Sequence, residues 1–144
     1  MACLYCQGET KRKYYTYCSN KCQCDYKYQE YIRKWKANLV DGNRGKKTVL
    51  LSKHISRYLV EKYGEKCCLC GWSKRHPITG RVPLEVNHID GNSSNNSEVN
   101  LQLICPNCHS LTANFRNLNK GYGRAYRRNL ASPQHAGINV SIDF

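Results

Sequence analysis

The chain has 144 residues, ten of them cysteine, and 23 Lys and Arg against 10 Asp and Glu give a formal charge of +13. So short a chain forms one modest domain, or two small units whose apolar cores need staples. No apolar run approaches membrane-spanning length, and the charge makes a polyanion the expected partner.

The cysteines fall in two groups, Cys3, Cys6, Cys18, Cys22 and Cys24, then Cys67, Cys68, Cys70, Cys105 and Cys108. Two four-cysteine zinc sites leave two thiols over. The rival is a secreted disulfide framework, which needs an export signal; MACLYCQGETKRK has neither a basic start followed by an apolar core nor a cleavage site. A cytoplasmic protein with two structural Zn2+ ions is the expectation. Charge is uneven as well: residues 1–66 carry 15 basic and 6 acidic side chains, 67–113 three of each, and 114–144 five against one. A neutral centre thus lies between two positive arms, suited to salt-sensitive, sequence-independent phosphate contacts.

In chain order, C-x2-C at Cys3 and Cys6 followed by YCSNKC predicts a small zinc finger held by Cys3, Cys6, Cys18 and Cys22. Cys24 is the alternative fourth ligand, but the C-x3-C spacing of Cys18 and Cys22 suits a loop entering a helix. Tyr28, Tyr31, Ile32, Trp35 and Leu39 then recur at three and four, predicting a helix over 25–39. Its tyrosines either pack around the finger or touch nucleic acid. DGNRGKK, with Arg44, Lys46 and Lys47, reads as an exposed basic linker. The expected divisions are a zinc finger with its basic helix over 1–40, a linker over 41–49, a second domain over 50–121 and a basic tail over 122–144.

Leu51, Ile55, Tyr58, Leu59 and Lys62 mark a second amphipathic helix, ended by Gly64, whose apolar face is expected to close the core of the second domain. Val82, Leu84 and Val86 alternate as one strand of a hairpin; the polar DGNSSNNSE loop follows, and Leu101 with Leu103 or Ile104 forms the return strand. Pro106 opens a helix reaching toward Gly121, with Cys108, Leu111, Phe115 and Leu118 on one face and His109, Thr112, Arg116 and Lys120 on another. The arginines of the tail, Arg124, Arg127 and Arg128, either touch phosphates or solvate. His135 has no ligand-like neighbours.

Between the second C-x2-C pairs, Cys67 and Cys70 with Cys105 and Cys108, lies a constellation suited to hydrolysing a phosphodiester. That reaction needs an activated water, neutralisation of charge on phosphate oxygens and help for the leaving oxygen. His88, at a strand end beside a polar loop, is the candidate general base. Asn87 and His109 are candidate ligands for a divalent cation, and Asn100 a residue that ties the loop to the strand bearing His88. His109 has a rival role as a zinc ligand, although four thiolates already complete a tetrahedral site.

These same residues, CxxC, NHIDGN, NNxxxN and LxxICPNCHSLT, resemble the HNH nuclease family in its cysteine-flanked bacterial and phage subgroup. The resemblance covers roughly residues 50–120. It implies a small α+β protein with a ββα-metal (His-Me finger) core beside a four-cysteine zinc site. It further implies His88 as general base, Asn100 as an orienting residue and His109 as ligand of a single catalytic ion. The position before the first His commonly holds Asp or His and here holds Asn87; a further His found in some relatives is Ala113 here. So sparse a shell favours Mg2+ or Mn2+ over zinc at the catalytic position. The amino-terminal cysteines look like small treble-clef-like fingers appended to phage endonucleases; for a phage-encoded chain the expected location is the host-cell cytoplasm.

The expected function is a metal-dependent endonuclease acting on double-stranded DNA, as a monomer or a homodimer. The contacts to DNA are expected from Arg44, Lys46, Lys47, Arg116, Lys120, Arg124, Arg127 and Arg128. The alternative is a zinc-finger nucleic-acid-binding module whose nuclease activity is weak or lost.

Overall fold

Contacts divide the chain into two units, Met1–Lys62 and Tyr63–Phe144, of which the computed structural model describes residues 1–46 and 50–119. Lys47, Lys120, Arg124, Arg127 and Arg128 lie outside the described residues.

In the first unit the Cys3–Cys6 knuckle is a tight turn, with Gln7 in the left-handed region at φ 61° and its N–H donating to the Cys3 carbonyl at 3.0 Å. Ser19 then caps helix α1, Asn20–Lys36, its Oγ accepting from the Cys22 N–H at 3.2 Å. The cap satisfies one orphan donor of the first turn and starts the helix between Cys18 and Cys22. Asn38, at φ 57°, ends it: the Asn38 and Leu39 amides donate back to the carbonyls of Trp35 and Lys34. This is a Schellman closure. Leu39, expected on the packed helix face, therefore lies past the end and is exposed.

α1 buries Asp25, Tyr28, Ile32 and Trp35. Helix α2, Lys53–Tyr63, buries Ile55 and Leu59. Arg57 of α2 pairs with Asp25 at 3.1 Å, Tyr28 Oη donates to Glu61 at 2.5 Å, and Trp35 meets Tyr58 edge-on at 5.5 Å. α2 thus groups with α1, not with the second unit whose core it was expected to close. The cause is chemical: the polar and aromatic partners of its exposed turns are on α1, a pairing that apolar periodicity does not reveal.

In the second unit, strands β1 (Glu85–His88) and β2 (Leu101–Ile104) pair antiparallel, with Glu85 opposite Ile104, Asn87 opposite Gln102 and His88 opposite Leu101. The core gathers Cys67, Ile104 and Cys105, with Leu84, Cys68 and Cys108 against it. The Cys68 N–H donates to the Leu103 carbonyl at 2.9 Å, which fastens the Cys67–Cys70 turn to β2. The alternation of Val82, Leu84 and Val86 does not continue as one strand. Pro83 has no amide for a ladder, so pairing begins at Glu85, and within β1 the buried residue is Asn87.

Helix α3 is also shorter than its pattern. Pro106 opens it, Cys105 caps it through Sγ, and it closes at Ser110. The Leu111 and Thr112 amides turn to carbonyls three residues back, and Arg116 takes φ 48° before a 3₁₀ turn over Arg116–Asn119. Leu111 and Leu118, expected on a packed face, are therefore exposed. The returning segment instead docks through amides: Asn119 Nδ2 donates to the Gly91 carbonyl at 2.7 Å and Asn114 Nδ2 to the Ile89 carbonyl at 3.2 Å. Among the described residues, no helix is long and apolar enough to cross a membrane.

Candidate metal centres and catalytic site

Two clusters of four cysteines are assembled, Cys3, Cys6, Cys18 and Cys22 in the first unit and Cys67, Cys70, Cys105 and Cys108 in the second, with their sulfurs within 4.8 Å of one another. A Zn–S bond of about 2.3 Å implies sulfurs about 3.8 Å apart at the corners of a tetrahedron. The observed separations are 3.6 Å for Cys6–Cys18, 3.4 Å for Cys18–Cys22 and 3.8 Å for Cys70–Cys105. Cys24 and Cys68 stand outside the clusters, so Cys22 completes the first.

Charge reinforces the fit. The Cys6 backbone draws the Cys3 thiol down to about 6 despite burial, whereas the sulfurs of Cys22 and then Cys6 push Cys18 up to about 12. In the second cluster burial raises Cys67, but the backbones of Cys70 and Cys105 outweigh it and bring it to about 6. The sulfurs of Cys70 and then Cys105 raise Cys108 to about 12. One thiolate forms readily in each cluster, and the last is opposed by its neighbours. A divalent cation removes that opposition, so each cluster can hold one zinc.

The second cluster brackets the hairpin. On β1, Glu85 and Asn87 share one face while Val86 and His88 share the other. From α3, His109 reaches the first of these faces, and its Nδ1 is hydrogen-bonded to the Glu85 carboxylate. A proton on Nδ1 shared with Glu85 leaves Nε2 as the nitrogen that could bind an ion. Asn87 is 5% exposed, and among the described residues no hydrogen bond to its carboxamide is found. The amide oxygen of Asn87, on the strand face that also carries the Glu85–His109 pair, and an imidazole with a carboxylate behind it are donors of the kind that fit a hard divalent ion. Next to them, Glu85, Pro106, Asn107, His109, Ser110, Phe115 and Arg116 line a cleft of about 490 Å³. Arg116 stacks over Phe115 at 5.0 Å, and Phe115 meets His109 edge-on at 5.2 Å.

His88, half-buried, has its Nε2 2.8 Å from Asn96 Oδ1. The side-chain hydrogen bonds of Asn100 go to the loop. Its Oδ1 accepts from the Asp90 N–H at 3.0 Å, and its Nδ2 donates to Asp90 Oδ1 at 2.9 Å and to the Asn95 carbonyl at 2.8 Å. The Ile89 N–H donates to the Asn100 carbonyl at 2.9 Å. Asn100 is buried, and the bonds it accepts and donates close DGNSSNN into one loop.

Arg116 and the linker residues Arg44 and Lys46 are exposed. Glu85 and Asn96 were not singled out by sequence. Glu85 lies two residues before Asn87, so strand periodicity alone places it on the same face; Asn96 carries no signal that separates it from its neighbours in NSSNN.

A curated relative shares this chain's sequence at 34% identity over 96 residues, the H-N-H endonuclease F-TflIV of Escherichia phage T5. The chain is similar to an H-N-H endonuclease. The match covers 65% of the chain but 40% of the relative, so the chain spans about two fifths of that protein's length. No family model matches, and no solved structure matches.

Proposed function

We propose that this protein is a metal-dependent DNA endonuclease with a ββα-metal (His-Me finger) site. In this reading His88 is the general base, Asn87 and His109 hold one catalytic Mg2+ or Mn2+, and Asn100 orders the loop between the strands. The observation that carries the reading is the β1 arrangement: one face bears Asn87 beside the Glu85–His109 pair, and the other bears His88 with its ring held in the loop. The similarity to a phage H-N-H endonuclease supports it.

Bound between Asn87 and His109, the ion would neutralise charge on the scissile phosphate and assist the leaving oxygen. The protein's own groups do the rest. His88 takes the proton of the attacking water, Glu85 holds the His109 ring, and Arg116 at the edge of the cleft supplies a cation to the DNA backbone. Arg44, Lys46 and Lys47 of the linker, with Lys120, Arg124, Arg127 and Arg128, add phosphate contacts. In this reading the nuclease site belongs to the second unit, which starts at Tyr63, and the basic finger, the linker and α2 precede it in the chain. Host cytoplasm is where a phage enzyme of this kind acts.

A second reading is favoured by Asn87 and Ala113, which leave few charged ligands: a nucleic-acid-binding module with little or no cleavage. A supercoiled-plasmid nicking assay separates the two. Relaxed or linear product that depends on Mg2+ or Mn2+ is expected. Retarded but intact plasmid across Mg2+, Mn2+ and Ni2+ would leave binding as the function.

A further inference from the structure

We infer that Asn96 is the positioning residue of His88, fixing the imidazole with its proton on Nε2 and leaving Nδ1 as the atom that accepts the proton of water. The inference rests on the reading of His88 as general base, and it names which nitrogen acts and what holds the ring.

The loop between β1 and β2 is rich in side chains that hydrogen-bond their own backbone. Asp90 accepts from the Asn92 N–H at 2.8 Å, Asn92 from the Ser94 N–H at 3.0 Å and Asn95 from the Ser97 N–H at 3.4 Å. Such Asx turns are the ordinary use of these residues in a loop. Asn96 adds a contact of another kind, its Oδ1 facing an imidazole 2.8 Å away. It is also buried, 5% exposed.

Its neighbours leave it little room to move. Asn95 Nδ2 donates to Asp90 Oδ2 at 2.7 Å, the Asn95 carbonyl accepts from Asn100 Nδ2 at 2.8 Å, and Ser97 Oγ donates to Asn95 Oδ1 at 2.8 Å. Asp90 is tied in turn to Asn100 through both backbone and side chain. The residue before Asn96 is thus held at its carbonyl and at its side chain, and this network aims the Asn96 carboxamide at His88.

An amide oxygen only accepts, so this contact requires hydrogen on Nε2. In the neutral ring the other nitrogen, Nδ1, then carries the lone pair. With the proton on Nδ1 instead, the carboxamide would have to turn and present Nδ2 to the ring, whereas the structure places Oδ1 there. The buried contact therefore selects one tautomer and one ring orientation together, as an orienting partner does for a functional histidine.

The test uses the full chain, loaded with zinc, labelled with 15N in histidine and observed at about pH 8, where an ordinary imidazole is neutral. Parent protein is expected to show a pyrrole-like Nε2 with an exchange-protected proton and a pyridine-like Nδ1 for His88. Asn96→Ala should lose that protection and slow single-turnover cleavage about 10- to 100-fold, the range for removing an orienting partner. Asn96→Asp, which keeps an acceptor oxygen, should restore the protected proton and recover part of the rate. A pyridine-like Nε2 in the parent, or a protected Nε2 proton that survives Asn96→Ala in folded protein, would overturn the inference. Failure of the base reading looks different: the His88 signature would be present while His88→Ala cut DNA at the parental rate.

Discussion

The Glu85 carboxylate is hydrogen-bonded to His109 Nδ1, joining the first residue of β1 to the short helix α3. The pair couples the hairpin to the helix that also bears Cys108. It orients the His109 ring and leaves Nε2 as the nitrogen that could take a metal ion.

Glu85→Ala should consequently weaken metal use without disturbing either cysteine cluster. A titration of nicking rate against Mn2+ should move to about 10- to 100-fold higher metal, and calorimetric Mn2+ binding should weaken in parallel. Asn87→Asp acts in the other direction, adding a charged oxygen at a buried strand position, and should lower the metal requirement. Parental curves for both variants would remove Glu85 and Asn87 from the metal site.

Two zinc atoms per chain are expected by elemental analysis, one for each cysteine cluster. Cys105→Ser should do more than lose one of them. Cys105 is buried in the core of the second unit, caps α3 through its sulfur and lies 3.8 Å from the Cys70 sulfur. Far-ultraviolet dichroism should report loss of ordered structure, since zinc binding is folding free energy in units this small. Protein with no bound zinc and ten thiols that react at once with a thiol reagent would sink the assignment.

Much of this site is legible in the order of residues alone. Cysteine spacing identifies both clusters because a tetrahedral ion tolerates few arrangements, and the strand and helix signals place His88 at the end of β1 and His109 in α3. The extent of α3 is less legible. Leu111, Phe115 and Leu118 keep helical spacing, yet Asn114 and Asn119 bond to carbonyls of the β1 loop and turn the chain away after Ser110. α2 is misplaced for a related reason, since Arg57 and Glu61 look like solvated charges in sequence and are partners of Asp25 and Tyr28 in the fold. Long-range polar pairing has no period, and so pattern reading passes over it.

Gly91 sits where that returning segment meets the loop. At φ +73° a side chain is strained, and a Cβ there would lie 2.5 Å from Asn119 Oδ1 and 2.7 Å from Asn114 Nδ2. Gly91→Ala should cost about 1–3 kcal/mol, read as a fall of several degrees in melting temperature. Adding Asn119→Ala should return only part of this, because the backbone strain remains. A melting temperature equal to the parent's would mean that the loop shifts at no cost.

The Asp25 carboxyl, held by Lys21 and then Arg57, lies below its ordinary range. A depressed folded value stabilises the native state above the unfolded carboxylate range, about 3.9, and that stability is lost as pH falls through the folded value. Asp25→Asn should therefore melt below the parent at neutral pH, with the gap closing in acid. Thermal melts from about pH 7 to pH 2 provide the check. A gap that stays constant across the series would remove ionisation of Asp25 as its source.

His88→Ala should abolish or greatly slow cleavage while leaving zinc content, DNA affinity and fold nearly parental. The cysteine clusters and the basic arms do not depend on the imidazole, which packs only half-buried at the end of β1. Removing a general base costs about 10²- to 10⁴-fold in the step it assists. Single-turnover conditions are needed so that product release does not hide that step. Added imidazole offers a second readout, because a small base diffusing into the space vacated by the ring should recover part of the rate in His88→Ala and none in His109→Ala, where a metal ligand is missing instead. Folded, zinc-loaded His88→Ala that cuts as the parent does under these conditions would exclude His88 as the base, whatever other route the protein used.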